Sequence, residues 1–285
     1  MKELGYLGMR DGDLAGKPYA KYWNPEMDPM PDHVTHALHH GAEAAELGFT
    51  MDEVDIMAEP GYLPLENGYT TLPNGQVFVA ILTEMPRATG AMMDWWMGWH
   101  YMESQRYKLW HPRAHLLNRT DEMIGDDPDR SDIEKYLTTH YVTEYIADRR
   151  EDITITFAEP STWFKDLDAL AANGITATVC GRVGIQGSPI TIGHLLHQIR
   201  EVPGGSEMRS RFWLGKPELA NSNPKGLINR FLGSKLFAKL ALPKVDIGRE
   251  MLVHCAMEMN HLAKFLPDLY QDYHPNAADG VEAER

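Results

Sequence analysis

The sequence predicts an α+β protein in which a curved antiparallel sheet packs around one long C-terminal helix. From about residue 140, five short β-rich segments follow one another with turn residues between them. Strands in such close succession favour antiparallel pairing over βαβ units. Residues 246–266 then carry apolar side chains at helical spacing. A sheet that closes on this helix encloses a cavity, and polar groups on the inner helix face would lie at its floor.

The first part of the chain is predicted to be a small helical module. Residues 1–30 are rich in Gly, Pro, Tyr and Met and are expected to be extended. A helix is predicted over 31–47, after Pro31, and a second short helix over 51–61. Four histidines follow one another in the first helix: His33, His36, His39 and His40. Because no carboxylate stands at ligand spacing beside them, a polar helix face or a subunit contact is favoured over a metal site.

A hairpin and an aromatic helix follow this module. Within residues 69–82, Asn74-Gly75 stands between two β-rich runs, which is a strong signal for a tight hairpin. Thr89 is a suitable N-cap for the helix behind it, which carries a run of Met and Trp. That run indicates either core packing or the lining of a cavity that binds aromatic molecules.

The five predicted strands are separated by residues that favour turns. Asn173-Gly174 precedes one strand, and Pro203-Gly204-Gly205 separates the last two. The strands correspond to the segments HYVTEYIADR, DITITFAEP, GITATVCGRV, ITIGHLLHQIREV and SEMRSRFWLG. Segments of about this length are typical of strands in globular sheets.

The composition limits the classes of partner. A net charge of −14 over 285 residues argues against binding to nucleic acid or to an anionic membrane surface. No run of about 18 apolar residues marks a transmembrane helix, and the N-terminus lacks the apolar core of a signal peptide. Cys180 and Cys255 are far apart and form no CxxC pair, so they are expected to be free thiols in a reducing cytoplasm. Any metal would therefore be held by His and carboxylate groups.

The last helix carries His254 and Glu258, which are four residues apart and therefore share one helix face. That face also carries the apolar residues Ile247, Met251, Leu262 and Phe265. A carboxylate in an apolar stripe is costly to bury, and a metal cation is the strongest compensation for that cost. Taken alone, the pair is more often an ordinary helix pair, so a metal site needs further ligands.

The segment from Arg106 to Asn118 is the densest in polar and aromatic side chains. It offers four candidates within a dozen residues: Tyr107, His111, His115 and Asn118. Because Pro112 interrupts any helix, part of this segment is predicted to be a loop or a helix start, where functional groups often lie.

Two more candidates belong to predicted strands. Glu144 lies in the run after residue 140. His197 has the same strand parity as Leu195 and Ile199, so it faces inward if that face is the inner one. A lone histidine on an apolar face is more often a core residue with satisfied hydrogen bonds than a catalytic one.

Four segments, in this order, resemble the family of diacetylphloroglucinol hydrolase and phloretin hydrolase: YKLWHPRAH, VTEYIADR, HQIREVPGGSEMRSRFWLG and the HxxxE of the last helix. The resemblance runs from about Met93 to Leu266. It implies a zinc-dependent enzyme that cleaves the carbon–carbon bond between an acyl group and a polyhydroxylated aromatic ring. It also implies a Bet v 1-like helix-grip domain with a smaller helical domain used in dimerisation. The chain is therefore divided into a module of residues 1–88, a catalytic domain of residues 89–274 and a flexible tail of residues 275–285.

The resemblance also assigns site residues. The zinc ligands of the family fall, in order, on His115, Glu144, His254 and Glu258. Such a set of nitrogen and oxygen donors is chemically suitable for Zn²⁺. The tyrosine and asparagine of the family pattern fall on Tyr107 and Asn118, and its catalytic histidine falls on His197. Glu151 and Glu159 lie close enough in sequence to stay alternatives to Glu144.

One position departs from the family pattern. A second tyrosine of the family falls on Phe212, which cannot donate a hydrogen bond. The predicted function is zinc-dependent hydrolysis of a β-diketone-like substrate, such as an acylphloroglucinol, with release of a carboxylic acid. Two alternatives stay open: a zinc hydrolase of non-aromatic β-diketones, and a non-catalytic helix-grip carrier of hydrophobic aromatic molecules. A cytoplasmic homodimer is expected.

Overall fold

One antiparallel sheet dominates the structure, a computed structural model that describes residues 8–219 and 245–275. Its strands are β1 (Gly68–Thr71), β2 (Val77–Glu84), β3 (His115–Thr120), β4 (Thr139–Ile146), β5 (Arg149–Ala158), β6 (Ile175–Ile185), β7 (Ile190–Val202) and β8 (Gly205–Leu219). The strand order is β1-β2-β8-β7-β6-β5-β4-β3. Each neighbouring pair is antiparallel.

Six α-helices accompany the sheet within the described ranges. They are α1 (Asp32–His40), α2 (Gly90–Trp99), α3 (Ser104–Trp110), α4 (Asp132–Tyr136), α5 (Leu167–Ala172) and α6 (Asp246–Tyr273). Short 3₁₀ helices cover Pro18–Tyr22, Ala45–Leu47, Met51–Ala58, His100–Met102 and Pro160–Thr162. None of the helices in these ranges is both long and apolar enough to cross a membrane.

The long helix α6 packs against the inner face of the sheet, most closely against β2 and β1. Leu252, Met259 and Leu262 of α6 are completely buried in the same core as Val77 and Val79 of β2. Full burial of one such aliphatic side chain contributes about 2 kcal/mol, so this contact is a large part of what holds the helix in place. The predicted α+β fold, an antiparallel sheet packed around a long C-terminal helix, is confirmed.

The outer face of the sheet is also covered. Residues from the first part of the chain, including Phe49 and Met57, form a second core with Leu196 of β7 and Trp213 of β8. The indole Nε1 of Trp213 donates a hydrogen bond to the carbonyl of Phe49, at 2.7 Å. Because β1 and β2 pair into this sheet, the predicted boundary at residue 88 divides strands of one sheet. A role of the first module in dimerisation stays a prediction.

Two local signals in the sequence are confirmed by the structure. The hairpin between β1 and β2 turns at Asn74 and Gly75, where Gly75 has a φ of 88°. Thr89 caps α2, because its side-chain oxygen accepts a hydrogen bond from the backbone N–H of Met92 at 3.3 Å.

Two helix ends were predicted wrongly. The helix expected over 31–47 ends at His40, because Gly41 adopts a φ of 93° that ends the helix. Conversely, α6 continues past Pro267 to Tyr273, although a proline usually ends a helix. The additional turns are anchored by tertiary contacts, since Leu269 is completely buried. Most of the predicted tail, residues 276–285, lies outside the described residues.

The strand β3 was not predicted, because its alternation is reversed. His115, Asn118 and Thr120 are buried, whereas Leu117 is 37% exposed. A register shift between His115 and Leu117 also breaks the period of two. A strand with polar residues on its buried side carries no amphipathic signal that points to the core.

Gly248 marks the closest approach of α6 to the β1–β2 hairpin. A Cβ atom at this position would lie 2.8 Å from the Cγ1 of Val77 and 3.0 Å from the Cβ of Tyr69. We expect Gly248→Ala to lower the free energy of unfolding by about 1–3 kcal/mol through overpacking, although glycine to alanine within a helix normally raises it. Urea denaturation measures the change, with Lys264→Ala on the exposed side of α6 as a control. An increase in stability would contradict the close contact.

Candidate active site

A cavity lies between the inner face of the sheet and α6. The centre of a water-sized sphere can occupy about 90 Å³ of this cavity, which is several times the volume that one bound water requires. Its walls are largely apolar and include Val142, Ile155, Phe157, Leu195 and Phe212. Its polar lining consists of His100, Tyr107, Asn118, His140, Glu144, His197, His254 and Glu258. Four histidines and two carboxylates in so small a space point to chemistry or to specific recognition.

Three ligand-type side chains come together at one end of the cavity. One ligand atom from each of His115, Glu144 and His254 lies within 4.8 Å of the others, and all three residues are buried. They come from three separate elements: β3, β4 and α6. His115 and Glu144 are direct partners in the β3–β4 register, which is why they meet. Such a group could hold a metal ion.

Glu258 lies beside the same group. Its Oε2 atom is 3.2 Å from the Nε2 of His115 and 3.6 Å from the Nε2 of His254. The Nε2 of His115 is also 3.5 Å from the Oε2 of Glu144. The four residues predicted as zinc ligands are therefore neighbours in the structure; their role as ligands stays a prediction.

The hydrogen bonding of His115 fits a metal ligand. Its Nδ1 is 3.1 Å from the carbonyl oxygen of Tyr107, to which it can only donate, so the proton lies on Nδ1. Its Nε2, which then carries the lone pair, is buried and has no hydrogen-bond partner in the described part of the chain. A metal-binding histidine typically has one ring nitrogen fixed by a carbonyl and the other aimed at the ion. The residues present thus fit a zinc ion.

The electrostatics of the group fit a cation as well. Burial, with the neighbouring His111 and His254, holds the pKa of His115 well below its usual range, and burial lowers the pKa of His254 to about 4. Burial raises the pKa of Glu144 to about 7; burial and the charge of Glu144 raise the pKa of Glu258 well above its usual range. Neutral imidazoles form no ion pairs with these carboxyl groups despite the short distances. A bound cation would compensate both carboxylates and favour their ionised form.

Tyr107 supports the group from the side. Its hydroxyl donates a hydrogen bond to the Oε2 of Glu144. Its ring stacks on the imidazole of His115, with ring centroids 3.9 Å apart and planes within 5° of each other. Tyr107 therefore orients one predicted ligand by hydrogen bonding and another by stacking.

Asn118 also lines the cavity, and it contacts a residue that the sequence did not reveal, His100. The Nδ2 of Asn118 is 2.9 Å from the Nε2 of His100, and the Nδ1 of His100 is 2.8 Å from the carbonyl of Trp96. Because a carbonyl only accepts, His100 carries its proton on Nδ1 and accepts from the Asn118 amide. The Oδ1 of Asn118 is buried and has no hydrogen-bond partner among the residues that the structure describes. His100 stands in the aromatic run after α2, where nothing in the sequence marked it.

His197 faces the cavity, as its strand parity suggested. Its Nδ1 is 2.8 Å from the hydroxyl oxygen of Ser210, its cross-strand partner on β8. Its ring meets Phe212 edge-on, with centroids 5.6 Å apart. Burial lowers the pKa of His197 to about 3, so the imidazole is neutral near pH 7.

Other candidates lie away from the cavity. His111 stacks on His254 from outside it, with centroids 4.9 Å apart. Glu151 is partly exposed beside Arg149, and Glu159 is exposed, so neither replaces Glu144 at the cavity. The tryptophans of α2 pack in the core rather than along the cavity: Trp95, Trp96 and Trp99.

Comparison with known proteins identifies the family. The family profile described as "DAPG hydrolase PhiG domain" matches residues 47–271. The chain belongs to the DAPG hydrolase family. Two relatives named 2,4-diacetylphloroglucinol hydrolase, from Pseudomonas sp and Pseudomonas protegens, are each 31% identical over 271 residues. The alignments cover 93% of this chain and 91% and 87% of those proteins.

A third relative of this DAPG hydrolase family member is phloretin hydrolase from Eubacterium ramulus, 26% identical over 89% of each chain. The resemblance seen in the sequence motifs is thereby confirmed. Among solved structures, the crystal structure of Ara h 8.0201 matches 62% of this chain and 97% of its own, with 10% identity and a TM-score of 0.28.

Metal content tests the ligand group directly. We expect the purified protein to bind about one zinc per chain, and His254→Ala or Glu258→Gln to lose it, because each change removes a donor from the buried group. Plasma mass spectrometry after dialysis measures the stoichiometry. His261→Ala, a buried histidine of α6 outside the cavity lining, is the matched control and should keep its zinc. Full metal content in Glu258→Gln would remove Glu258 from the ligand set.

Proposed function

We propose that this member of the DAPG hydrolase family is a zinc-dependent hydrolase that cleaves the carbon–carbon bond between an acyl group and a polyhydroxylated aromatic ring. The observation that carries the proposal is the buried group of His115, Glu144, His254 and Glu258 at one end of a largely apolar cavity. Relatives of the chain are named for the hydrolysis of diacetylphloroglucinol and phloretin.

The reaction needs a carbonyl that water can attack and a carbanion that can leave. When a ring hydroxyl tautomerises to its keto form, an acylphenol becomes a β-diketone. Water adds to the acyl carbonyl carbon, and the bond from that carbon to the ring breaks. The bonding electron pair passes to the ring as an enolate, which takes up a proton on carbon. The carboxylic acid product contains the oxygen and one hydrogen of the water. The other hydrogen of the water ends on the ring carbon that carried the acyl group.

Zinc held by the four ligand-type residues would supply Lewis-acid polarisation of the acyl carbonyl and would ease deprotonation of water. The protein residues arrange the rest. Tyr107 holds Glu144 in place through its hydroxyl and limits the motion of His115 by stacking. The unpartnered Oδ1 of Asn118 can accept a hydrogen bond from a ring hydroxyl. These contacts favour one orientation of the substrate, with its acyl group at the ligand group.

His197 is the proposed proton carrier. Its Nδ1 is fixed by Ser210 at 2.8 Å, which orients the imidazole toward the cavity. Burial lowers the pKa of His197 to about 3, so the ring is neutral and has a lone pair that can take a proton from water, although the same burial makes it a weaker base than an exposed histidine. The imidazolium formed in this way can then deliver that proton to the ring carbon, so one residue serves both steps.

A non-catalytic carrier is the second candidate. The apolar walls of the cavity favour it, because they suit any hydrophobic aromatic ligand. Two observations disfavour a carrier: the Nε2 of His115 has no hydrogen-bond partner in the described part of the chain, and two carboxyl groups are buried beside it. Burying such groups without a compensating partner costs free energy. Carriage alone does not require them.

Turnover of His197→Ala tests the proposed mechanism. We expect this variant to keep its zinc and to lose about 10²–10⁴-fold in kcat on an acylphloroglucinol, because a positioned general base contributes about that much. Release of the carboxylic acid, followed by chromatography, measures the rate. An unchanged kcat would exclude His197 from proton transfer, and no cleavage by the unaltered, zinc-loaded protein would favour the carrier.

Phe212→Tyr tests the departure from the family pattern. Phe212 lines the cavity beside His197, so a hydroxyl added there would bring a hydrogen-bond donor near the substrate. We expect kcat/KM for an acylphloroglucinol to rise by about three- to tenfold, the value of one net hydrogen bond. A non-aromatic β-diketone serves as the control substrate and should gain less. If both substrates respond equally, the missing hydroxyl does not set substrate choice.

A further inference from the structure

The cavity has a second polar end, remote from the ligand group. His140, Val142 and Glu144 all line the cavity from alternate positions of β4. At a rise of about 3.3 Å per residue, the Cα atoms of His140 and Glu144 are about 13 Å apart. Val142 between them is apolar and buried. The cavity thus has polar groups at both ends and an apolar wall between them.

His140 is the unusual residue of this second end. Its side chain is completely buried, and neither ring nitrogen has a hydrogen-bond partner of normal geometry in the described ranges, although the backbone of Tyr136 lies close enough to raise the pKa that burial and His100 lower. Its ring meets Tyr101 and Phe157 edge-on, with centroids 4.7 Å and 4.9 Å apart. These aromatic contacts fix the position of the imidazole without satisfying either nitrogen. A buried polar group without a partner is rare unless a ligand or an ordered water supplies the partner.

Asn118 completes this end of the cavity. In the β3–β4 register it lies opposite Val142, and Thr120 lies opposite His140. Asn118 is therefore the diagonal neighbour of His140 on the same face of the sheet. Its amide Nδ2 is engaged by His100, and its Oδ1 is free to accept. The end as a whole offers one acceptor from Asn118 and a donor and an acceptor from neutral His140.

We propose that His140 is a specificity-determining residue that hydrogen-bonds the ring oxygen opposite the acyl group of the substrate. This inference rests on the proposed function and adds a second recognition point to it. With the scissile carbonyl at the ligand group, an aromatic ring lies over Val142 and directs its far substituent along β4 toward His140. A hydroxyl or keto oxygen there satisfies an imidazole nitrogen, whereas a hydrogen leaves it unpaired.

A role of His140 in recognition is compatible with phenylalanine at position 212, where the family resemblance implies a tyrosine. Phe212 and His140 lie on different strands, β8 and β4, and both line the cavity. His140 supplies at the far end a polar contact that Phe212 cannot supply from its own wall. Selection for a hydroxylated ring then does not need a second tyrosine.

Two substrates and three variants test the proposal. The substrates are an acylphloroglucinol and its analogue with hydrogen in place of the hydroxyl opposite the acyl group. The variants are His140→Phe, His140→Gln and a matched control, His194→Phe, which replaces a histidine that contacts Trp163 and does not line the cavity. Zinc content is measured for each, because all three should keep the ligand group intact.

We expect His140→Phe to lose about tenfold in kcat/KM for the acylphloroglucinol and less than twofold for the analogue. His140→Gln should retain most of the preference, because an amide can replace the hydrogen bond. His194→Phe should keep the ratio between the two substrates. If kcat/KM falls by the same factor for both substrates in His140→Phe, the role of His140 is merely structural and the proposal is overturned. Unchanged kcat/KM for both substrates would also overturn it.

Failure of the proposed hydrolysis can be told apart from failure of this inference. If the unaltered protein cleaves neither compound, their dissociation constants are measured by calorimetry on the same variants. If His140→Phe binds the hydroxylated compound about tenfold more weakly and the analogue with unchanged affinity, recognition of the ring oxygen by His140 is supported, although the proposed hydrolysis is not. Equal binding of both compounds in the unaltered protein would overturn the role of His140.

Discussion

Two carboxyl groups are buried side by side where α6 crosses the inner face of the sheet, and most of the cavity is organised around them. Glu144 belongs to a strand and Glu258 to the helix, so the distance between the two carboxyl groups depends on how closely α6 packs against the sheet. Burial raises the pKa of each, and the charge of Glu144 raises that of Glu258 further. Such a pair is unfavourable unless a proton, a hydrogen bond or a cation compensates it. Tyr107 provides the hydrogen bond, and the neutral histidines provide lone pairs that a cation would need.

The sequence showed part of this site and could not show the rest. The spacing of His254 and Glu258 identifies one half of the group, because four residues make about one turn of a helix. The other half, His115 and Glu144, depends on the register of β3 with β4. No spacing in a sequence encodes a cross-strand register, so these two residues were candidates among several, and only the family resemblance assigned them as ligands. His140 was not identified because a histidine at the start of a strand has no distinguishing pattern.

The fold was predicted better than its boundaries for a related reason. Turn residues and helical spacing are local signals, and they located the hairpin at Asn74-Gly75 and the cap at Thr89. Tertiary packing decided the remaining features. It extends α6 beyond Pro267, and it buries β7 and β8 on both faces, one in the core with α6 and the other beneath the first part of the chain. Strands buried on both faces lose the alternation that reports which face is inward.

The low pKa of His197 places a constraint on the order of events in the proposed reaction. A neutral imidazole with a pKa of about 3, lowered by burial, holds no proton to donate when the substrate arrives. It must first receive one, and the attacking water is the group that loses a proton. The two carboxylates would balance the charge of a divalent cation, so the ligand group would leave little net positive charge to stabilise the enolate. Protonation of the ring carbon therefore becomes the main route by which the departing charge is neutralised. In this order, His197 acts as a base before it acts as an acid, and its hydrogen bond with Ser210 keeps the ring oriented through both steps.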